Sequence, residues 1–185
     1  MARQQGKLKL GKGSAFVKRR LLWLPQEELL WEAGFSPLPE MLDSGNTLWL
    51  GMAVNRQDGS ILSQDILEYV PTINDFAKLL ANAMQRPLTD ENRCRPKAIC
   101  IRENPDWQEL FPHLKQLGIE IVIAEDLRVY DETVASLIRY LMGNTWKEMG
   151  GDTFGEFEDE GKSRDQLLNL RLAAILYPPK RQIKR

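Results

Sequence analysis

Large aliphatic residues recur at every second position in the middle of the chain. In the stretch TLWLGMAVNRQDGSILSQDIL, every second residue of the first half is apolar: Leu48, Leu50, Met52 and Val54. A period of two is typical of a half-buried strand. Asp58-Gly59 then supplies a turn, and Ile61 begins a second apolar run. The pattern predicts a β-hairpin.

A helix and two further strands are predicted after this hairpin. Thr72 and Asp75 have the spacing of a capping box, so a helix begins there, and it ends before Pro87. The short apolar runs KAICI and IEIVIA fit strands in the centre of a sheet. Between them, residues 104–106 supply a cap, a first-turn proline and an acid, which predict a second helix that Pro112 kinks or splits.

The two ends of the chain give weaker patterns. AFVKRRLLWL is predicted to be a strand, and Pro25 then opens a short helix through QEELLWEA that Gly34 closes. Towards the other end, a helix is predicted from a cap at Asp131 to Gly143. The glycine-rich and acidic segment 143–162 is predicted to be a loop, and Ser163 starts a terminal helix.

This order of elements predicts the fold class. Strands that are joined through helices are normally parallel, with right-handed crossovers. The chain is therefore expected to form an α/β layered sandwich with a mixed sheet led by the hairpin. We expect a single domain over 15–177, with a core at 47–142, the acidic loop at 143–162 and the terminal helix at 163–176, between basic tails at 1–14 and 178–185.

Charge is distributed unevenly along the chain. Residues 1–20 hold seven Lys or Arg and no acid, and residues 178–185 hold four and no acid. These eleven of the 25 basic residues leave 14 against 26 acidic residues in 21–177, a net charge of −12. Basic tails bind phosphates or acidic protein surfaces, or they stay solvated, so nucleic acid is one candidate partner.

Composition also indicates where the protein works. No run of about eighteen apolar residues is present, which excludes a transmembrane helix from the printed sequence. The first residues lack the apolar stretch of a signal peptide. Cys94 and Cys100 lack the spacing of a zinc site, so we interpret them as reduced thiols. A cytoplasmic location is expected.

Two stretches carry a resemblance to a known family. LWLGMAVNRQDGSILSQDIL and RPKAICIRENPDWQELFPHLKQLGIEIVIAEDLRVYDE resemble a family of uncharacterised bacterial proteins, over residues 47 to about 140. That family has a domain of unknown function, so the resemblance implies a fold and no catalytic residues.

At greater distance, the same layout is similar to ribonuclease H-like domains, which include integrase and transposase cores. Those domains place one metal-binding acid on the first strand and a second at the end of the strand after the first helix. The resemblance puts the first position at or near Asn55 and the second at Glu103, with Asp131 or Glu132 as a third. An amide at Asn55 forfeits most of the attraction for Mg²⁺ ions.

The remaining candidate residues are few. Glu103 ends a predicted strand, where ligands of open α/β sheets tend to lie, while the nearby acids also fit a helix start. His113 is the only histidine, and no nucleophile accompanies it in sequence. Trp49 lies beside two small residues on the hairpin, which leaves room for a partner or for another element of the chain. Lys18, Arg19 and Arg20 are candidate phosphate-binding residues.

Three functions stay open at this point. The favoured hypothesis is a non-enzymatic domain that binds a protein partner or its own copy, through Trp49 or the acidic loop, with no cofactor and no metal. The second is nucleic-acid binding through the basic tails on a catalytically inactive ribonuclease H-like core, with Asn55 and Glu103 in the former site. The third is a divalent-metal nuclease that uses Glu103 and Asp131.

Overall fold

The computed structural model describes residue 8 and residues 14–38, 47–89 and 93–149. Ten elements follow one another in this part of the chain: α1 Ser14–Leu22, β1 Gln26–Pro37, β2 Trp49–Asn55, β3 Ile61–Leu67, α2 Ile73–Gln85, β4 Arg95–Ile101, a 3₁₀ helix Pro105–Leu110, α3 Phe111–Gln116, β5 Glu120–Ile123 and α4 Arg128–Met149. None of the described helices is both long enough and apolar enough to span a bilayer.

The strands form a mixed five-stranded sheet in the order β3-β2-β1-β4-β5. The pairs β1–β2 and β2–β3 are antiparallel, and the pairs β1–β4 and β4–β5 are parallel. The α/β class and the mixed sheet are therefore confirmed. Because β1 lies in the centre, it contacts both the antiparallel half and the parallel half of the sheet.

Sequence reasoning was wrong about the first two elements, which are exchanged. The segment that was predicted to be a strand contains α1, and the segment that was predicted to be a short helix is β1. The alternation in QEELLWEAGF explains the outcome, because one set of alternate residues packs into the core: Leu29, Trp31, Ala33 and Phe35. Burial of that face outweighs the helix propensity of the glutamates.

The predicted hairpin is confirmed as β2 and β3. Gly59 adopts a φ of +73°, which an L side chain rarely tolerates, so a glycine is needed at this turn. Asp58 accepts hydrogen bonds from the Ser60 backbone N–H at 2.9 Å and the Ser60 hydroxyl at 2.7 Å, which fix the turn. The capping box of Thr72 and Asp75 is confirmed at the start of α2.

The helical stretch between β4 and β5 is split, as its proline predicts. Asn104 caps the 3₁₀ helix by accepting the Asp106 N–H at 3.0 Å, and α3 then begins at Phe111 with Pro112 in its first turn. The bounds of the helix after β5 were predicted wrongly. It starts at Arg128 and extends to Met149, so Asp131 lies inside its first turn and Gly143 does not end it. The remainder of the predicted acidic loop and the terminal helix lie outside the described residues.

Two apolar clusters lie on opposite faces of the sheet. The larger core cluster lies beneath α2, the 3₁₀ helix and α3, and its largest members are Trp31, Phe76, Leu79, Leu80, Met84, Ile99 and Trp107. The smaller core cluster lies beneath α4 and consists of Leu38, Leu48, Leu50, Met52, Val54, Cys100, Leu127, Tyr130 and Val134. The sheet therefore separates two buried layers.

The hairpin face that carries Trp49 is largely covered within the chain. A Cβ added at Gly51 would lie 2.3 Å from Phe35 Cε1, so the Phe35 ring rests directly on this glycine. Ala53 belongs to the larger core cluster, and Trp49 itself is half-buried. The small residues of β2 thus make room for a neighbour from β1 rather than for an outside partner.

Candidate functional site

Glu32 is a buried acid in the centre of the sheet. It lies opposite Val54 of β2 and next to Cys100 of β4, on the face that α4 covers. Its relative exposure is 1%. Its neighbours Trp31 and Ala33 point to the other face, so the strand period alone turns Glu32 towards α4.

The carboxylate of Glu32 is stabilised from two directions. Oε2 accepts the backbone N–H of Tyr130 at 2.8 Å, in the first turn of α4, and Oε1 lies 3.3 Å from Arg56 Nε. A helix N-terminus and a guanidinium both favour an anion. Since burial of an unpaired carboxylate is very costly, both partners are needed to keep this charge inside the protein.

A second ion pair lies where β4 ends. The Arg102 Nη2 atom donates to both carboxylate oxygens of Asp131, at 2.6 Å and 2.5 Å, and Arg102 Nε lies 3.4 Å from the carbonyl oxygen of Glu125. The guanidinium also lies 5.9 Å from the centre of the Tyr130 ring. Arg102 therefore links the end of β4 to the first turn of α4.

Tyr130 packs between the two ion pairs and the smaller core cluster. Its hydroxyl lies 3.1 Å from the Ser36 Oγ and 3.5 Å from the carbonyl oxygen of Leu50. Burial, which disfavours the phenolate, raises the pKa of Tyr130 to about 12. The hydroxyl therefore acts as a neutral hydrogen-bonding group at physiological pH.

Cys100 is the nearest thiol to these groups. Burial raises the pKa of Cys100, and the neighbouring Arg56 opposes that effect without overcoming it. A thiol that stays protonated is a poor nucleophile and a poor metal ligand. Cys100 is a free, buried cysteine, and this environment makes its thiol unreactive.

The structure does not bring Asn55 and Glu103 together. Asn55 ends β2, where its Oδ1 accepts the Gln57 N–H at 3.1 Å, whereas Glu103 is exposed beyond the end of β4. Because β1 lies between β2 and β4, the two residues are not on neighbouring strands. Asp131 does lie at the site, but Arg102 already binds its carboxylate.

The other candidate binding residues lie elsewhere. Trp49 is the first residue of β2, where it pairs with Pro37 of β1 and Leu67 of β3. Lys18 is half-buried in α1 and donates to the side-chain oxygen of Gln116, while Arg19 and Arg20 are exposed in the last turn of α1. These cations lie apart from the Glu32 site.

Sequence reasoning missed Glu32, Arg56 and Arg102. The signal for Glu32 was an acid flanked by apolar residues on both sides within an alternating stretch. A carboxylate at such a position is buried if the segment is a central strand with both faces of the sheet covered, and a buried carboxylate needs a cation. Prediction of a helix for the same segment concealed this requirement.

The chain belongs to a protein family whose function is unknown. Residues 17–138 match the family described as Domain of unknown function (DUF6930). No curated protein matches the chain in sequence.

Several solved structures have a similar fold. A chain in the simian T-cell lymphotropic virus intasome, solved in complex with PP2A regulatory subunit B56 gamma, is 16% identical with a TM-score of 0.53, over 84% of this chain and 50% of that one. The present chain thus spans about half the length of that relative. The HTLV-2 integrase catalytic core domain in complex with magnesium is 13% identical with a TM-score of 0.52, over 82% of this chain and 86% of that one.

A third solved structure has a similar fold. The catalytic core domain of BIV integrase is 13% identical with a TM-score of 0.50, over 83% of this chain and 86% of that chain. At these identities the similarity shows the fold alone. The protein therefore has the ribonuclease H-like fold of integrase catalytic cores.

The described residues do not fit the metal site that this fold suggests. Glu32 is the buried acid of the first strand, but Arg56 and the Tyr130 N–H occupy its two oxygens. Arg102 lies between the end of β4 and Glu103, the expected second acid, and it binds the Asp131 carboxylate. Within the described ranges, no group of three His, Cys, Asp or Glu side chains is placed to hold a metal ion. A divalent cation here would compete with two guanidinium groups.

Proposed function

We propose that this protein is a non-enzymatic α/β domain that acts by binding a protein partner or a second copy of itself. One observation carries the proposal: each carboxylate on the α4 side of the sheet centre, Glu32 and Asp131, is neutralised by an arginine of the same chain. Such ion pairs stabilise a scaffold and leave neither Glu32 nor Asp131 free to bind a metal ion.

The edge of the sheet supports binding to another protein. Among the described residues β5 is the last strand of the sheet, and Val122 and Ile123 are exposed large apolar residues on it. A strand edge of this kind offers unpaired backbone groups to an added strand from another chain. The strand contains neither a proline nor a lysine, the residues that usually protect such an edge.

Mass measurement of the full-length protein by light scattering, over a range of concentrations, tests self-association. We expect a concentration-dependent dimer or a stable complex in a pull-down, weakened by Val122→Lys. Val70→Lys is a matched control because Val70 is also exposed but lies beyond β3, at the opposite side of the sheet. A monomer at every concentration, with no partner captured, would refute the proposal.

Nucleic-acid binding is a second candidate function, favoured by the basic N-terminal helix. Lys18 and Arg19 form no ion pair with any described residue. Contacts between such cations and phosphates predict an affinity that falls steeply with salt. Deletion of residues 1–14 and 179–185 tests the part played by the basic tails, and unchanged binding would rule them out.

A divalent-metal nuclease that uses Glu103 and Asp131 is the third candidate. The geometry supports it least, because Arg102 holds the Asp131 carboxylate and Glu103 is exposed beyond the end of β4. It requires a Mg²⁺-dependent cleavage activity that Glu103→Gln abolishes. For all three candidates we propose a cytoplasmic location and a bacterial family.

A further inference from the structure

Trp23 is the most exposed of the large apolar side chains in the described part of the chain. Its relative exposure is 80%, and it follows directly on α1, where Leu22 is also exposed. The helix is anchored through Leu21, which is buried in the larger core cluster. Exposure of a tryptophan this large on a well-anchored element indicates a binding residue, because burial in a complex would recover its apolar area.

The cations near Trp23 are held by neutral groups. Lys18 donates to the side-chain oxygen of Gln116. Arg95 donates to the carbonyl oxygen of Leu24 at 3.1 Å and to that of Leu117. A neutral acceptor fixes a guanidinium or an ammonium in position but leaves its charge uncompensated.

None of these cations belongs to an ion pair within the described ranges. The ion pairs there involve other basic residues: Arg56, Lys78, Lys97, Arg102 and Arg128. Arg19 and Arg93 are exposed and are likewise absent from these pairs. We define the Trp23 surface as Lys18, Arg19, Trp23, Arg93 and Arg95.

Hydrogen bonds join Arg95 to residues 24 and 25, directly after Trp23, at one end of the sheet. The backbone N–H of Arg95 donates to the Pro25 carbonyl at 2.8 Å, which joins the start of β4 to the start of β1. Arg102 lies beyond the other end of β4, about 20 Å away at the rise of an extended strand. The Trp23 surface is therefore separate from the Glu32 and Arg102 site.

We propose that the Trp23 surface binds single-stranded nucleic acid, with Trp23 stacked on a base and the surrounding cations in contact with phosphates. This inference rests on the second candidate function and gives it a location. Aromatic stacking combined with backbone cations is the usual means of binding a single strand without sequence preference. Arginine is suited to the task because its planar guanidinium matches phosphate oxygens.

The layout of the surface favours a nucleic acid over a membrane. A helix that lies in a membrane interface needs a continuous apolar face opposite its charges. On α1 the exposed Arg19 and Leu22 are three residues apart and therefore neighbours on one side of the helix, so a basic and an apolar residue lie side by side there. A base with its phosphate presents the same two kinds of group side by side, which complements this arrangement.

Fluorescence anisotropy of the full-length protein with a labelled oligothymidylate of about 20 nucleotides tests the inference. We expect Trp23→Ala to weaken binding about 10-fold or more and Trp23→Phe to restore most of it, since a second aromatic ring can stack. Arg93→Gln should lower the slope of log affinity against log salt by about 0.7, because the variant neutralises one phosphate fewer. Tyr69→Ala is the matched control, because Tyr69 is an exposed aromatic residue beyond β3.

The outcomes separate the inference from the function on which it rests. If the strand binds and Trp23→Ala binds as tightly as wild type, nucleic-acid binding stands and the Trp23 surface is refuted. If wild type binds neither the strand nor duplex DNA, both are refuted, and if it binds duplex DNA alone, nucleic-acid binding stands and the inference is refuted. Equal affinity for polyglutamate or for anionic lipid vesicles would show a general polyanion surface and would also overturn the proposal. Duplex DNA should bind more weakly, since its bases are already stacked on each other.

Discussion

At the scale of single residues, Glu32 is the clearest case of a charge that the fold has to accommodate. Its carboxylate receives one hydrogen bond from the first turn of α4 and one ion pair from Arg56. These contacts join three elements, β1, the end of β2 and α4, at one buried point. Loss of the charge on Glu32 should therefore lower the free energy of unfolding of the whole domain.

Glu32→Gln is expected to lower the free energy of unfolding by about 2 to 4 kcal/mol. An amide keeps the shape of the side chain, but its NH₂ group has to face another donor, either the Tyr130 N–H or Arg56 Nε. Urea denaturation measures the change. Glu132→Gln is the control, since its pair with Arg128 lies on the surface and its removal should change stability little. Equal effects of the two substitutions would contradict the structural role of Glu32.

Tyr130 predicts a pH dependence at the alkaline end. Its pKa is raised to about 12 in the folded state, above the ordinary value of 10.0, so the unfolded chain releases this proton first. The contribution of the protonated Tyr130 to the free energy of unfolding is therefore fully present below pH 10, and it declines as the pH rises towards 12. By linkage the loss amounts to about 3 kcal/mol when both forms are ionised.

The Tyr130→Phe variant isolates this contribution. It should lose about 1 kcal/mol at neutral pH with the hydroxyl hydrogen bonds, and it should then lose less than wild type between about pH 10 and 11. Urea unfolding curves of both proteins across this range measure the difference. Parallel pH profiles would show that the Tyr130 hydroxyl is not shielded from water as described.

At the scale of elements, local patterns predicted most of the fold from β2 onwards. The hairpin was evident because alternation and a glycine turn agree, and α2 because its capping box precedes a helical apolar face. α1 and β1 were exchanged because Pro25, Gly34 and a glutamate-rich segment suit a helix locally. Only pairing with β2 and β4, far along the chain, makes that segment a strand.

The prediction of a helix in place of β1 also displaced the predicted position of the site. With β1 taken for a helix, the resemblance to ribonuclease H-like domains placed the metal-binding acid of the first strand on β2, at or near Asn55. The structure instead places Glu32 on the first strand, with Arg56 directly after Asn55. Arg102 was not foreseen as a partner of Asp131, because that contact depends on how α4 crosses the sheet.

The capping box of α2 gives a prediction for an isolated element. Thr72 Oγ1 accepts the Asp75 N–H at 3.4 Å, and Asp75 Oδ2 accepts the Thr72 N–H at 2.9 Å. Thr72→Ala should cost about 1 kcal/mol of stability, and Asp75→Ala a similar amount. Because each side chain also bonds the other at 2.6 Å, the double variant should lose less than the sum. Additive losses in thermal or urea unfolding would argue against a reciprocal cap.

At the scale of the whole molecule, the sheet carries a core on each face, and β1 belongs to both. Trp31 packs into the larger core cluster, whereas Leu30 packs against the smaller one. Displacement of β1 from the sheet would therefore disrupt the packing of both core clusters. The two clusters should therefore unfold together, as in a small cooperative domain.

Leu50→Ala tests this coupling. Leu50 is buried in the smaller core cluster, and its truncation should cost about 2 to 5 kcal/mol. The tryptophan fluorescence of Trp31 and Trp107 reports on the other face, yet its unfolding midpoint should shift as far as that of the far-ultraviolet circular dichroism. Two separate transitions would show that the faces are independent.

The central place of β1 also bears on how the chain is made. β1 pairs with β4 in parallel, and each partner residue lies about 70 positions further along the chain. At a synthesis rate of about 5 to 20 residues per second, that edge of β1 waits roughly 4 to 14 s on the ribosome for its partner. The β2–β3 hairpin can cover one edge of β1 meanwhile, but the other edge stays open beside Trp31 and Phe35. We therefore expect nascent chains that stop before β4 to need a chaperone, which the completed domain no longer requires.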